Sequence, residues 1–166
     1  MSYDSSEETR EHIRQVAERL RAVCRELEKR GERHDASKLG EAEKPYFDAI
    51  GPNLRDLVYD SEAYRAAKER LRPALVHHYA HNSHHPEHYP EGVAGMDLID
   101  LIEMYCDWAA ATLRSKNGDV PRSIELNIER FGIGEPLSDI LRNTWKRYGG
   151  FSGQPERNEA VPGSTD

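Results

Sequence analysis

Of the eight histidines in this 166-residue chain, six fall between residues 77 and 88: His77, His78, His81, His84, His85 and His88. On a helix, His77 and His81 share a face, His84 lies one turn further on that side, and His81 and His85 are again four apart. Two imidazoles one turn apart can reach one divalent ion at about 2.0–2.2 Å. A tract of this kind can also be a solvated polar helix or a loose metal-binding run. Leu75, Tyr79 and Pro86 around it point instead to a packed setting. A second feature is the adjacent pair His34-Asp35, which alone is an ordinary cap or surface loop. A third is the carboxylate stripe Asp100, Glu103 and Asp107, at i, i+3 and i+7 of an apolar helix. A carboxylate on a central helix needs a cation or hydrogen bonds, and histidines facing it across a metal would meet that need. Imidazole and carboxylate donors without a thiolate suit Mn, Fe, Zn, Co or Ni rather than Cu(I) or an iron–sulfur cluster. Five or six donors exceed one tetrahedral structural zinc and fit a dinuclear site better.

The elements that must position these residues read as helices. Residues 6–30 place Ile13, Val16, Leu20, Val23, Cys24 and Leu27 on one face at 3.6 residues per turn, with Ser5 or Ser6 as cap and Arg30-Gly31 as the stop. His34 to Leu39 opens a short helix or turn. Residues 41–50 are helical and end at Gly51-Pro52. Residues 61–85 form a helix that Pro73 kinks or restarts and Pro86 ends, because the residue before a proline is pushed from helical geometry. A loop covers 86–95. Residues 97–115 are the clearest helix, apolar over more than half its circumference. Residues 121–131 and 136–148 are two more. There are no repeats and no convincing strand, so the fold class is all-α: a single-domain helical bundle over residues 1–149, with 150–166 a disordered tail of Gly, Ser, Pro and charge.

Composition narrows the function. Lys and Arg number 23 against 30 Asp and Glu, a net charge of −7, which disfavours non-specific binding of long nucleic acid. Small phosphorylated substrates stay open, because a bound cation supplies positive charge locally. Mean hydropathy is −0.85, and no stretch approaches the roughly 20 apolar residues that cross a bilayer. The acidic, polar start is no secretory signal. Cys24 and Cys106, both in helical apolar patterns, read as buried thiols of a reducing cytoplasm.

Together these residues resemble the HD-domain superfamily, an all-α group of metal-dependent phosphohydrolases. His34-Asp35 looks like its paired motif, the 77–88 tract like its middle histidines, and Asp107 like its distal Asp. His34-Asp35-Ala36-Ser37-Lys38 is similar to the motif of the cyclic-dinucleotide phosphodiesterase branch, although that branch's Gly-Tyr-Pro element is absent. The closest likeness is a small uncharacterised bacterial and phage family. Its marks here are His34 to Leu39, His81-Asn82-Ser83-His84-His85-Pro86-Glu87-His88, and Leu101 to Trp108, spanning about residues 12–145.

The resemblance implies a metal site and a hydrolase. His34, Asp35, His81, His84, His85 and Asp107 would hold one or two divalent ions, with Asp35 as a bridge. A bound ion would supply hydroxide from water near neutral pH. Lys38 would bind a phosphate oxygen, Asn82 would contact substrate or orient a ligand, and Glu103 would orient a water or a histidine N–H. The expected reaction is hydrolysis of a nucleotide or other small phosphorylated metabolite. Alternatives are a di-iron oxygenase of the same superfamily, or a non-catalytic, metal-stabilised binding or regulatory protein. His12 stays outside the site, because one straight helix over 6–30 carries it far from His34.

Overall fold

The computed structural model describes residues 4–54, 62–113 and 118–151. It is all-α, with six α-helices and no strand among the described residues. The helices are α1 (Ser6–Arg33), α2 (Lys44–Leu54), α3 (Glu62–His81), α4 (Leu98–Thr112), α5 (Val120–Phe131) and α6 (Leu137–Tyr148). Short 3₁₀ turns occupy Ala36–Leu39, Pro86–His88 and Gly92–Gly95. No described helix is long and apolar enough to cross a membrane. The chain divides into two compact units, Met1–Tyr105 and Cys106–Asp166. Residues 152–166, most of the expected tail, lie outside the described residues.

In the first unit α2 packs on α3, the Ala36–Leu39 and Pro86–His88 turns close against α3, and Gly92–Gly95 lies against Pro86–His88. Its core holds Ile50, Leu71, Ala74, Met104 and Tyr105. It is unusually polar: His78, His84, Glu43 and Asp100 are as completely enclosed as Met104. Ionisable groups enclosed in this way must be paired or hold a cation. The second unit is built on an α5–α6 hairpin. Asp119 caps α5 by accepting from the Arg122 amide at 3.2 Å. Gly132, at φ +60°, ends it with the left-handed turn that returns the chain to α6. Ile124, Ile133 and Leu141 are buried, as is Trp108, whose ring stacks on Phe131. Arg142 makes a two-pronged contact with Glu125 at 2.8 and 2.9 Å.

Several local expectations shift. α1 continues through Gly31 to Arg33. A helical glycine costs only about 1 kcal/mol, and the Arg30 ion pairs with Asp100 and Glu103 hold the last turn in register. α2 runs past Gly51 and Pro52 to Leu54, and α3 passes through Pro73. α3 stops at His81 rather than at residue 85. Pro86 forbids helix at His85, and Asn82 donates from Nδ2 to the His78 carbonyl at 2.7 Å, satisfying a C-terminal acceptor. The two cysteines are exposed rather than buried; α1 buries no residue at all, so its apolar face gives Cys24 nothing to pack against.

Candidate metal centre

The site begins where α1 ends. His34 is the C-cap of α1, at ψ 125°, and Asp35 follows in the left-handed region at φ 58°. Asp tolerates that conformation better than most residues, and backbone held there is a frequent mark of a functional position. The reversal lets the Ala36–Leu39 turn start, with the Lys38 amide donating to the Asp35 carbonyl at 2.9 Å. On the facing side, the end of α3 supplies His78. The turn after it, closed by the His85 amide donating to the Asn82 carbonyl, supplies His84 and His85.

Two glutamates organise these rings. Glu103, on α4, accepts at Oε1 from His34 Nδ1 at 2.9 Å and meets His84 Nδ1 at 3.1 Å. Glu43, fully buried just before α2, accepts at Oε2 from His78 Nδ1 at 2.9 Å and at Oε1 from His77 Nδ1 at 2.7 Å. Burial pushes the Glu103 carboxyl up, but the hydrogen bonds of His34 and His84 and the charge of Arg30 outweigh it, leaving the group at about 2. Glu43 is likewise held below the ordinary range: burial raises it, and His77, Ser37 and His78 more than offset this. Ionised carboxylates only accept, so each facing Nδ1 carries the hydrogen, and in the neutral ring Nε2 is then the nitrogen that offers a lone pair.

The Nε2 atoms of His34, His78 and His84 converge on Asp35. His78 Nε2 lies 3.1 Å from Asp35 Oδ1 and His84 Nε2 3.6 Å from the same oxygen, while His34 Nε2 is 3.6 Å from Oδ2. His85 Nε2 stands 2.9 Å from His78 Nε2. Burial pushes the Asp35 carboxyl up, and the neighbouring His78 ring and Lys38 ammonium more than reverse this, so it stays well below the usual range. Yet Asp35 Oδ1 and His84 Nε2 have no hydrogen-bond partner among the described residues, although both are buried. Such orphaned buried atoms cost about 1–3 kcal/mol each. A cation between them removes that cost.

The donor atoms of Asp35, His78, His84 and His85 all lie within 4.8 Å of one another, a group that could hold a metal ion. Ligands about 2.1 Å from one ion are at most about 4.2 Å apart, so small shifts suffice. Hard carboxylate and borderline imidazole donors fit a divalent first-row ion. Glutamates behind the rings supply the outer support that such ligands usually have. The residues present therefore fit the group that the sequence suggested.

The placement of the remaining residues is specific. His81 is exposed, its Nδ1 turned to the His77 carbonyl at 2.7 Å and its ring stacked on His77; it stands outside the group, and His78 occupies the inner face instead. His88 donates from Nδ1 to the Tyr79 carbonyl. His12 is exposed on α1, about 33 Å along the axis from His34 at 1.5 Å per residue. Lys38 places its ammonium on Asp35 Oδ2, with its charge also over the Phe47 ring. Asn82 is buried and donates to Ser37 Oγ at 2.8 Å as well as to the His78 carbonyl, so it holds the α3 terminus against the His34–Lys38 segment. Asp100 stands outside the donor group and joins it only through Arg30, which also meets Glu103; it accepts from Arg30 at 2.8 Å, Ser83 at 2.7 Å and Tyr89 at 2.6 Å. Asp107 is half-buried on α4, one turn beyond Glu103 and past the division between the two units.

Sequence reasoning overlooked His78 as a candidate ligand and Glu43 altogether. For His78 a signal existed: it lies seven residues before His85, and a helix ending at His81 would have favoured it. Glu43 had none, because nothing local distinguishes it from its exposed neighbours Glu41 and Lys44.

An all-α chain with a part-buried histidine–aspartate cluster able to hold a metal is thus the class that fold and site define. Over residues 1–147 the sequence matches the model of a family of unknown function, DUF5662, and the chain belongs to that family. No curated protein and no solved structure matches it.

Proposed function

We propose that this chain is a metal-dependent phosphohydrolase acting on a nucleotide or other small phosphorylated metabolite. One observation carries the reading: three imidazoles, fixed through Nδ1 by buried glutamates, turn Nε2 toward Asp35, and two buried atoms at that point have no partner among the described residues. The likeness of His34-Asp35-Ala36-Ser37-Lys38 to the HD-domain motif supports it.

Asp35, His78, His84 and His85 would hold the ion, with His34 beside them. A bound divalent ion supplies hydroxide near neutral pH and charge that offsets developing negative charge on a phosphoryl group. Glu43 and Glu103 hold their rings in the tautomer that presents Nε2. Asp35 anchors the donor set and, through Lys38, keeps a positive charge at the site for an anionic substrate. Asn82 and Ser37 keep the two ligand-bearing segments in register.

The test is metal content of tag-free protein, wild type against Asp35→Asn, followed by a panel of nucleotides and small phosphate esters. Asn keeps the left-handed backbone and the side-chain shape while removing the charge. Retention of one or two ions per chain by wild type, loss in the variant, and metal-dependent phosphate release support the reading. Failure to take up added Mn, Fe, Co, Ni or Zn overturns it. Metal retained without phosphate release from any ester refutes the hydrolase and leaves the centre standing; iron with oxygen uptake would then assign oxygen chemistry.

A further inference from the structure

α1 is 28 residues long, and none of them is buried. Most helical stability in proteins comes from packing an amphipathic face, and an isolated helix is marginal in water. α1 has such a face and leaves it open: Ile13 is 60% exposed, Val16 40%, Leu20 60% and Val23 39%. Its own unit holds α1 mainly at the last turn, where Arg30 meets Ser83, Asp100 and Glu103.

The spacing of the stripe defines what fits it. Residues 13, 16, 20, 23 and 27 follow intervals of three, four, three and four, which is a two-helix coiled-coil seam with 13, 20 and 27 at one core position and 16 and 23 at the other. A seam of this kind is complementary to itself, and a two-fold axis satisfies both copies at once. Charge selects the direction. In an antiparallel pair with Leu20 opposite Val23 of a second copy, Val16 meets Leu27, and the flanking positions set Arg19 against Glu26 of the second copy. Symmetry makes that ion pair twice. A parallel pair sets Arg19 against Cys24 and gains no ion pair. Among the described residues, Glu26 is engaged with Lys29 at 3.5 Å and Arg19 with the Gln15 carbonyl, both exposed contacts of little worth.

We infer that α1 is a homodimerisation helix, pairing antiparallel with α1 of a second copy through Val16, Leu20, Val23 and Leu27. This is independent of the metal centre.

Sedimentation equilibrium of the full chain over a dilution series tests it. Wild type is expected at twice 19.0 kDa. Leu20→Glu should be a monomer with unchanged metal content, its circular dichroism losing no more helix than the fraying of an unpaired α1, since Leu20 supports nothing within its own chain. Arg19→Glu should weaken the dimer by roughly tenfold or more, and Arg19→Glu with Glu26→Arg should restore it. A monomeric wild type overturns the inference and leaves the stripe to a different protein or a lipid surface. A dimer that survives Leu20→Glu overturns it as well. A dimer lost with Leu20→Glu but indifferent to both charge variants overturns the antiparallel pairing.

Discussion

His78 and His81 lie three residues apart on α3 and meet different fates because of what holds the other ring nitrogen. The His78 Nδ1 faces Glu43, which turns its Nε2 inward; the His81 Nδ1 turns back to its own helix at the His77 carbonyl. Replacement His78→Ala should therefore abolish tight metal retention, while His81→Ala should leave the ion content at the wild-type value, both read by elemental analysis after gel filtration. Glu43 acts one step removed. Glu43→Gln keeps the volume but can present its amide N–H to His78 Nδ1 and favour the wrong tautomer. It should lower metal affinity by about 10–100-fold, measured by competition with a chromogenic chelator. An affinity equal to wild type would show that the His78 tautomer is fixed instead by the Ser37 hydroxyl, 3.1 Å from Nδ1. The residue types were readable in the sequence: clustered histidines, a His-Asp pair and helix carboxylates announce metal chemistry. Which histidine faces inward was not, because its selector, Glu43, is 35 residues away and buried by tertiary packing.

At the scale of elements, α4 shows why an apolar helix carries carboxylates. Asp97 caps it, accepting at Oδ1 from the Ile99 and Asp100 amides at 2.8 and 2.9 Å. Asp100 and Glu103, one turn apart, then share Arg30 of α1. The width of its apolar arc argued for burial of this stripe against the commoner solvent-facing outcome; that Arg30 would neutralise it was not legible, since the pair spans 70 residues. Arg30→Met should destabilise the fold by about 3–5 kcal/mol, because it leaves two buried carboxylates without their cation, and thermal denaturation measures it. Both carboxyls titrate below their ordinary range in the folded chain: burial raises each, but Tyr89, Ser83 and Arg30 outweigh it at Asp100, and His34 and His84 at Glu103. Their stabilising contribution is thus complete above the unfolded range near pH 4 and is lost as pH falls below it, for Glu103 toward about 2. Melting temperature should decline through that window, and less steeply in Asp100→Asn if the variant still folds. In the second unit, Gly132 sits at φ +60° with open space where a Cβ would project. Gly132→Ala should cost about 1 kcal/mol from backbone strain alone.

For the whole molecule, a metal that binds the folded chain and not the unfolded one stabilises it by mass action. Free metal at 100 times its dissociation constant contributes about 2.7 kcal/mol. Chelator treatment should then lower the melting temperature by about 5–10 °C, reversed on adding the metal back; unchanged melting would mean that the histidines are held by protein contacts alone. Acid should also strip the ion, since protons compete for the imidazoles. The sequence by itself determined the helices, because periodicity, caps such as Asp119 and stops such as Gly132 act over one or two turns. It determined the presence of metal-type donors for the same local reason, since two histidine turns and a His-Asp pair are short-range patterns. Tertiary structure alone decided the rest: that Cys24 and the α1 stripe lie exposed, that Glu43 and Glu103 sit behind the rings, and that His78 rather than His81 points at Asp35. Those outcomes depend on which distant group is buried against which, and hydrogen-bond direction in a closed core is set by partners tens of residues apart in the chain.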